Sequence, residues 1–193
     1  MWPWEHLAVG YLLHSGVVRA LRRRAPTDAG ALALAVGTQF PDLVDKPGDW
    51  VFGVLPSGTS VAHSVFVAVP VSLSAVELSR RRGAPEAGVA FAVGYLSHLV
   101  GDVSYPALLG SEPAYGAVLW PFGPDYPERS VGAFELVAGF FDRYVSHLTS
   151  PAGIRYALAE LSVLGLAVLA WLWDGKPGAG LARRAVRSVQ SDR

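Results

Sequence analysis

The chain has 193 residues with 16 Lys and Arg against 16 Asp and Glu, and this charge balance, with no aromatic-basic stripe, argues against a nucleic-acid partner. Apolar residues make up 51%, charged residues only 17%, and mean hydropathy is +0.33, which points to a membrane protein with lipids as its surroundings. There is no cysteine, so disulfides, thiolate metal ligands and cysteine nucleophiles are excluded.

The expected fold is all-α: a membrane-embedded bundle of five to six helices with a long irregular loop after the fourth. One domain is expected over residues 1-175, followed by a polar basic tail over 176-193. Met1-Trp-Pro-Trp-Glu-His6 has no basic n-region or cleavage pattern, so the N-terminus is expected to be mature. The first helix runs from Glu5 to Arg24 and ends in Arg22-Arg-Arg24. Pro26-Thr27-Asp28 then breaks the chain and offers a new N-cap. The second helix, Ala29 to Phe40, is expected to stop at Pro41, with Asp42 to Asp49 and Pro56 to Ser60 forming a long loop rich in turn formers. The third covers Val61 to Leu78, kinked at Pro70. Gly83 closes it after Arg80-Arg-Arg82, and Pro85 opens a fourth helix from Glu86 to Val103, ahead of Pro106. Tyr105 to Arg129 holds five prolines and reads as irregular. Ser130 to Leu148 is a fifth helix whose charges, Glu135, Asp142 and Arg143, suit a position on the membrane surface. Ser150-Pro151 is a cap and first-turn pair for a last helix from Ala152 to Trp173.

The arginines orient these helices. Arg22 to Arg24, Arg80 to Arg82, and Arg183, Arg184 and Arg187 belong on the cytoplasmic side if the helices span. Following the chain under that constraint brings His6, Asp42, Asp45, His63, His98 and Asp102 to the opposite, non-cytoplasmic end. The pair in Gly94-Tyr-Leu-Ser-His98-Leu-Val-Gly-Asp102 is the sharpest signal, because residues four apart on a helix share a face. An ionised aspartate in that apolar run requires a partner.

Together these residues give three imidazoles and three carboxylates, a donor set suited to zinc, manganese or iron. Each also has a plain reading. His98 and Asp102 could be a hydrogen-bonded helix-end pair, His63 a helix anchor beside Ser60 and Ser64, Asp42 a turn residue, and His6 an interfacial side chain. His14 and His147 are read as structural or surface groups. Glu160 is expected to pair with Arg155 or Arg143.

Several of these motifs carry a resemblance. Trp4-Glu-His6 with Gly10, Phe40-Pro-Asp42-Leu-Val-Asp45, Ala62-His63-Ser64, the Gly94 to Asp102 block and Leu119-Trp-Pro-Phe122 resemble, in order, the blocks of the membrane-bound metal-dependent hydrolase family. This is the group related to the LexA-regulated inner-membrane protein of enteric bacteria. The resemblance implies a helical inner-membrane protein with metal-dependent hydrolase activity. The order His, Asp, His, then His-x-x-x-Asp is also similar to that of the zinc-dependent phospholipase C and single-strand nuclease fold, a trinuclear zinc site. Those enzymes add a later His-x-x-x-Glu pair; none follows Asp102 here, so one or two ions are expected.

The expectation is therefore a divalent ion, zinc first, held by Asp42, His63, His98 and Asp102, with His6 as a further ligand. It would activate water against a phosphoester near the lipid headgroups, with Asp45 taking the proton if it is not itself a ligand. The alternative is a metal-binding or proton-handling membrane protein or assembly factor without catalysis.

Overall fold

The computed structural model describes residues 1–109, 111–123 and 132–181. Among these the chain forms six α-helices, a short 3-10 turn at Ala117–Leu119 and no strand. The helices are α1 (Pro3–Arg22), α2 (Asp28–Trp50), α3 (Val65–Arg81), α4 (Pro85–Leu108), α5 (Ala133–Leu148) and α6 (Pro151–Trp173). The all-helical expectation holds. Arg183, Arg184 and Arg187 lie outside the described residues, as does the start expected for the fifth helix at Ser130.

Local chemistry sets most helix ends. Thr27 caps α2 by accepting from the Gly30 N–H at 3.0 Å, and Ser150 caps α6 by accepting from Gly153 at 2.9 Å, so each satisfies a donor that the helix leaves open. At the start of α1, Glu5 reaches back to the Trp2 N–H at 2.6 Å. Gly83 (φ 73°) follows α3 in the left-handed conformation that glycine adopts without strain.

Three expected boundaries are corrected, the third helix beginning at Val65 and not at Val61. The second helix continues through Pro41 and Pro47 to Trp50, and the fourth continues through Pro106 to Leu108. A proline inside a helix costs about 3 kcal/mol, and here tertiary packing offsets it. A Cβ on Gly94 would stand 2.6 Å from the Leu34 carbonyl oxygen and 2.8 Å from the Thr38 nitrogen; one on Gly37 would collide with the Phe91 carbonyl. The backbones of α2 and α4 thus lie in direct contact, with Leu34 and Tyr95 fully buried beside them. The loop is correspondingly shorter than expected, running from residue 51 to residue 64, and His63 sits in it just ahead of α3.

α2 and α4 form the centre, flanked by α1 and α3, with α6 laid against α1. At the far end of α6, Asp174 accepts hydrogen bonds from Tyr11 (2.7 Å), Ser15 (2.6 Å) and Arg19 (2.6 Å) on α1. Arg24 pairs with Glu86 at the start of α4. Both described arginine triplets therefore lie at one end of the bundle, as the sequence implied. Only α4 and α6, among the described helices, are long and apolar enough to cross a membrane. α6 turns most of its surface outward, with Leu158, Leu161 and Leu169 more than 60% exposed. Glu160 does not meet the arginines expected for it. It accepts from the Trp4 indole at 2.6 Å and the Tyr144 hydroxyl at 2.8 Å, because α6 docks against α1 and α5 with this face inward.

Candidate metal centre

The C-terminal half of α2 carries Thr38, Asp42 and Asp45, one turn or less apart on the same helix. α4 brings His98 and Asp102, α1 brings His6, and the loop before α3 brings His63. All six residues expected at the site converge, at the end of the bundle opposite the arginine triplets. His6, His63 and His98 are 2% exposed or less, whereas the Asp102 side chain is 24% exposed. The cluster is thus enclosed on three sides and open at Asp102.

Asp45 organises the loop. It is fully buried, and its two oxygens accept the backbone N–H groups of Ser60 (2.8 Å), Ala62 (2.9 Å) and His63 (3.1 Å) and the His63 Nδ1–H at 2.8 Å. A carboxylate buried without such donors would cost several kcal/mol; here the donors fix the loop to α2. Tyr95 adds a hydrogen bond from its hydroxyl to the Ala62 carbonyl at 2.6 Å, and Ser64 one to the Trp120 carbonyl at 2.5 Å.

The His98 ring is fixed in the same way. Its Nδ1–H donates to the Thr38 carbonyl at 2.7 Å. With both Nδ1 positions committed as donors, the Nε2 atoms of His63 and His98 face each other at 3.3 Å. Two imidazole lone pairs at that distance repel unless a cation lies between them or one ring carries a proton there. Carboxylates surround the pair. Asp42 Oδ1 is 3.4 Å from His63 Nε2 and 3.8 Å from His98 Nε2, while Asp102 Oδ2 is 3.5 Å and 3.1 Å from the same atoms. Tetrahedral ligation at about 2.0–2.1 Å separates donor atoms by about 3.3–3.4 Å. The separations of Asp42 and of Asp102 from the two Nε2 atoms, 3.1 to 3.8 Å, lie near that value, so these residues could hold a divalent ion.

His6 extends the set. Its ring stacks on His98 with centroids 3.7 Å apart, and its Nε2 lies 3.1 Å from Asp102 Oδ1 without the alignment of a hydrogen bond. Donor atoms of His6, His98 and Asp102 lie within 4.8 Å of one another, as do those of Asp42, His63 and His98. Two overlapping groups could therefore hold an ion. Without one, burial disfavours a charged His63, but hydrogen bonds to Asp102, Asp42 and Asp45 outweigh it and push its pKa up to about 10.

Sequence reasoning missed Thr38, whose contribution is a backbone carbonyl, and the amides of residues 60 to 63. Spacing could have pointed to Thr38, four residues before Asp42 on the same helix. It also passed over Glu5, which is 6% exposed and accepts from the Tyr156 hydroxyl. His14 and His147 lie away from the cluster. His14 is buried 4.0 Å from Glu86 at the arginine end, and His147 packs edge-on against Tyr156.

No curated protein and no solved structure matches the chain. The model of the YdjM inner membrane protein family matches residues 1–177, a span that contains every residue of the cluster. The chain accordingly belongs to the YdjM inner membrane protein family, the family of the LexA-regulated inner-membrane protein that its motifs resemble.

Proposed function

We propose that this chain is a metal-dependent hydrolase of the inner membrane that cleaves a phosphoester at the bilayer surface. The observation that carries the reading is the facing Nε2 pair of His63 and His98, each locked by its Nδ1 hydrogen bond and flanked by Asp42 and Asp102. Histidines oriented through Nδ1, His63 by the Asp45 carboxylate and His98 by the Thr38 backbone carbonyl, are how proteins prepare imidazole for a metal. A bound divalent ion, zinc on this mixture of nitrogen and oxygen donors, supplies a Lewis acid and an activated water.

The chain's own residues do the rest. Asp42, His63, His98 and Asp102 would hold the ion, with His6, stacked on His98, as a further ligand. Asp45 is a positioning residue: both of its oxygens are engaged, so in this reading it orients His63 and does not take the water's proton. The burial of the histidines keeps bulk water from three sides, and the exposed edge of Asp102 leaves one side for substrate. The opposed arginine ends support a site on the non-cytoplasmic face.

The test is elemental analysis of detergent-purified wild type beside Asp102→Ala and His98→Ala, after dialysis against metal-free buffer, followed by phosphoester hydrolysis with and without chelator. The reading expects near-stoichiometric metal in wild type only, and hydrolysis that follows it. Wild type that stays metal-free after reconstitution removes the chemical basis of the reading and leaves a proton-handling cluster.

A further inference from the structure

A cavity of about 560 Å³ lies beside the cluster, walled by α1, α4 and α6. Its size falls within the range of ligand pockets, about 300–1,000 Å³. It adjoins the open side of the site: Met1 lines it, and the Met1 backbone nitrogen is 2.7 Å from Asp102 Oδ1.

The walls change character along the cavity. On α6, residues 155, 156, 159, 160, 163 and 164 recur at helical spacing and share one face, opposite the outward Leu158, Leu161 and Leu169. Near the cluster the wall is mixed: Arg155, the Glu5 carboxylate and the Tyr156 hydroxyl, which donates to Glu5 and accepts from the Tyr105 hydroxyl at 3.0 Å, stand with Leu108 and Leu109 at the end of α4. Two turns further along α6 the lining becomes Val163 and Leu164, with Val9 across from them on α1. Arg155 forms no ion pair among the described residues. The cavity therefore offers one cation, Arg155, and hydroxyl groups beside the carboxylates of Glu5 and Glu160, which are already held by Tyr156, Trp4 and Tyr144, and it offers hydrocarbon along Val9, Val163 and Leu164. Its walls include the two helices long and apolar enough to cross a membrane.

We infer that this cavity binds an anionic phosphoester lipid from the surrounding bilayer. Its phosphate sits beside Arg155, facing the His–Asp cluster. One hydrocarbon chain runs past Val9 to Val163 and Leu164. An entirely apolar pocket would suit a neutral lipid, and a wholly polar one a free phosphate; a lining that joins Arg155 and hydroxyls to a run of aliphatic side chains suits a molecule with both parts. The inference rests on the hydrolase reading for what happens at the phosphate, and on the cavity alone for binding.

The experiment is photolabelling of the full-length protein in nanodiscs with a diazirine-bearing phosphatidic acid and, separately, the matching diacylglycerol. Labelled peptides are mapped, and zinc content is measured on the same samples. Wild type should be labelled by phosphatidic acid between residues 156 and 164. Val163→Trp should lower that label at least fivefold and Leu169→Trp should leave it unchanged. Arg155→Gln should lower phosphatidic acid labelling at least threefold while diacylglycerol labelling stays constant. An unchanged thermal unfolding midpoint shows that a variant is folded; if Val163→Trp is not, Ala159→Leu fills the same space more gently. Displacement by unlabelled phosphatidic acid assigns a glycerophospholipid, and displacement by a polyprenyl phosphate assigns an isoprenoid. Labelling that ignores both Val163→Trp and Ala159→Leu, or that is the same for the two probes and indifferent to Arg155, overturns the inference. Zinc without cavity labelling leaves the hydrolase reading standing, whereas cavity labelling without zinc leaves only the lipid site.

Discussion

Asp45→Asn separates a positioning role from a catalytic one. Asparagine can place its carbonyl where Oδ2 stands and still accept from Ser60, from the Ala62 and His63 amides and from His63 Nδ1–H. Its NH2 group then stands against the Ala62 N–H at the 2.9 Å now spanned by a hydrogen bond, and this new buried donor is left without an acceptor at a cost of about 1–3 kcal/mol. The bond to His63 survives but loses its charge, which lowers the basicity of Nε2. Loss of such an outer partner costs about 10–100-fold in metal affinity, and because the bond is kept, about tenfold is expected. Zinc affinity is read by competition with a chromophoric chelator, and hydrolysis is then measured with zinc saturating. A positioning residue predicts weaker zinc binding with turnover reduced less than about tenfold once the site is filled. Removal of a general base costs about 10²–10⁴-fold. Unchanged zinc affinity together with a hundredfold loss of turnover at saturation would refute the assignment and restore Asp45 as the proton acceptor.

Other outcomes follow from the same geometry. Gly94→Ala places a methyl against the α2 backbone and should destabilise the protein by about 1–3 kcal/mol, with zinc content falling too; thermal denaturation in detergent and elemental analysis check both. Asp174→Asn breaks the tie between α6 and α1 at the far end. It should cost about 2 kcal/mol and speed proteolysis near Trp173 while zinc content stays at the wild-type value. In metal-free protein the folded pKa of His63, about 10, exceeds the ordinary value of 6.5. Its stabilisation is therefore complete below about pH 6.5 and lost as pH rises through 10. A denaturation series from pH 6 to pH 10 should show that decline, and zinc should bind more tightly at pH 8.5 than at pH 6.5, because the ion must displace the proton.

Much of the site could be read before the structure because its signals are local or additive. The four-residue spacing of His98 and Asp102 is a property of any helix, and the arginine triplets give the helices a direction without knowledge of their packing. Convergence of the histidines and aspartates at the other end followed from those two facts. The course of α2 could not be read in this way. Pro41 is a strong local stop, and what overrides it is the backbone contact of Gly37 and Gly94 with the neighbouring helix, which no single segment records. Asp42 and Asp45 therefore lie on a rigid helix and not in a mobile loop. The Thr38 carbonyl and the amides of residues 60 to 63 escaped for a different reason: every residue has these groups, and only the fold selects which ones act. Glu160 found Trp4 and Tyr144 because helix docking, and not charge, decided its neighbours.

The backbone contact between α2 and α4 also bears on which ion the proposed metal centre would select. Gly94 lies one turn before His98, and Gly37 a little over one turn before Asp42, so the gap between the donors on the two helices is set by two missing methyl groups. A wider gap would suit the longer bonds and higher coordination numbers of larger, oxygen-seeking cations over zinc. In the hydrolase reading, ion preference is thus governed in part by residues that never touch the ion, and relatives with bulkier residues at these two positions should favour a larger one.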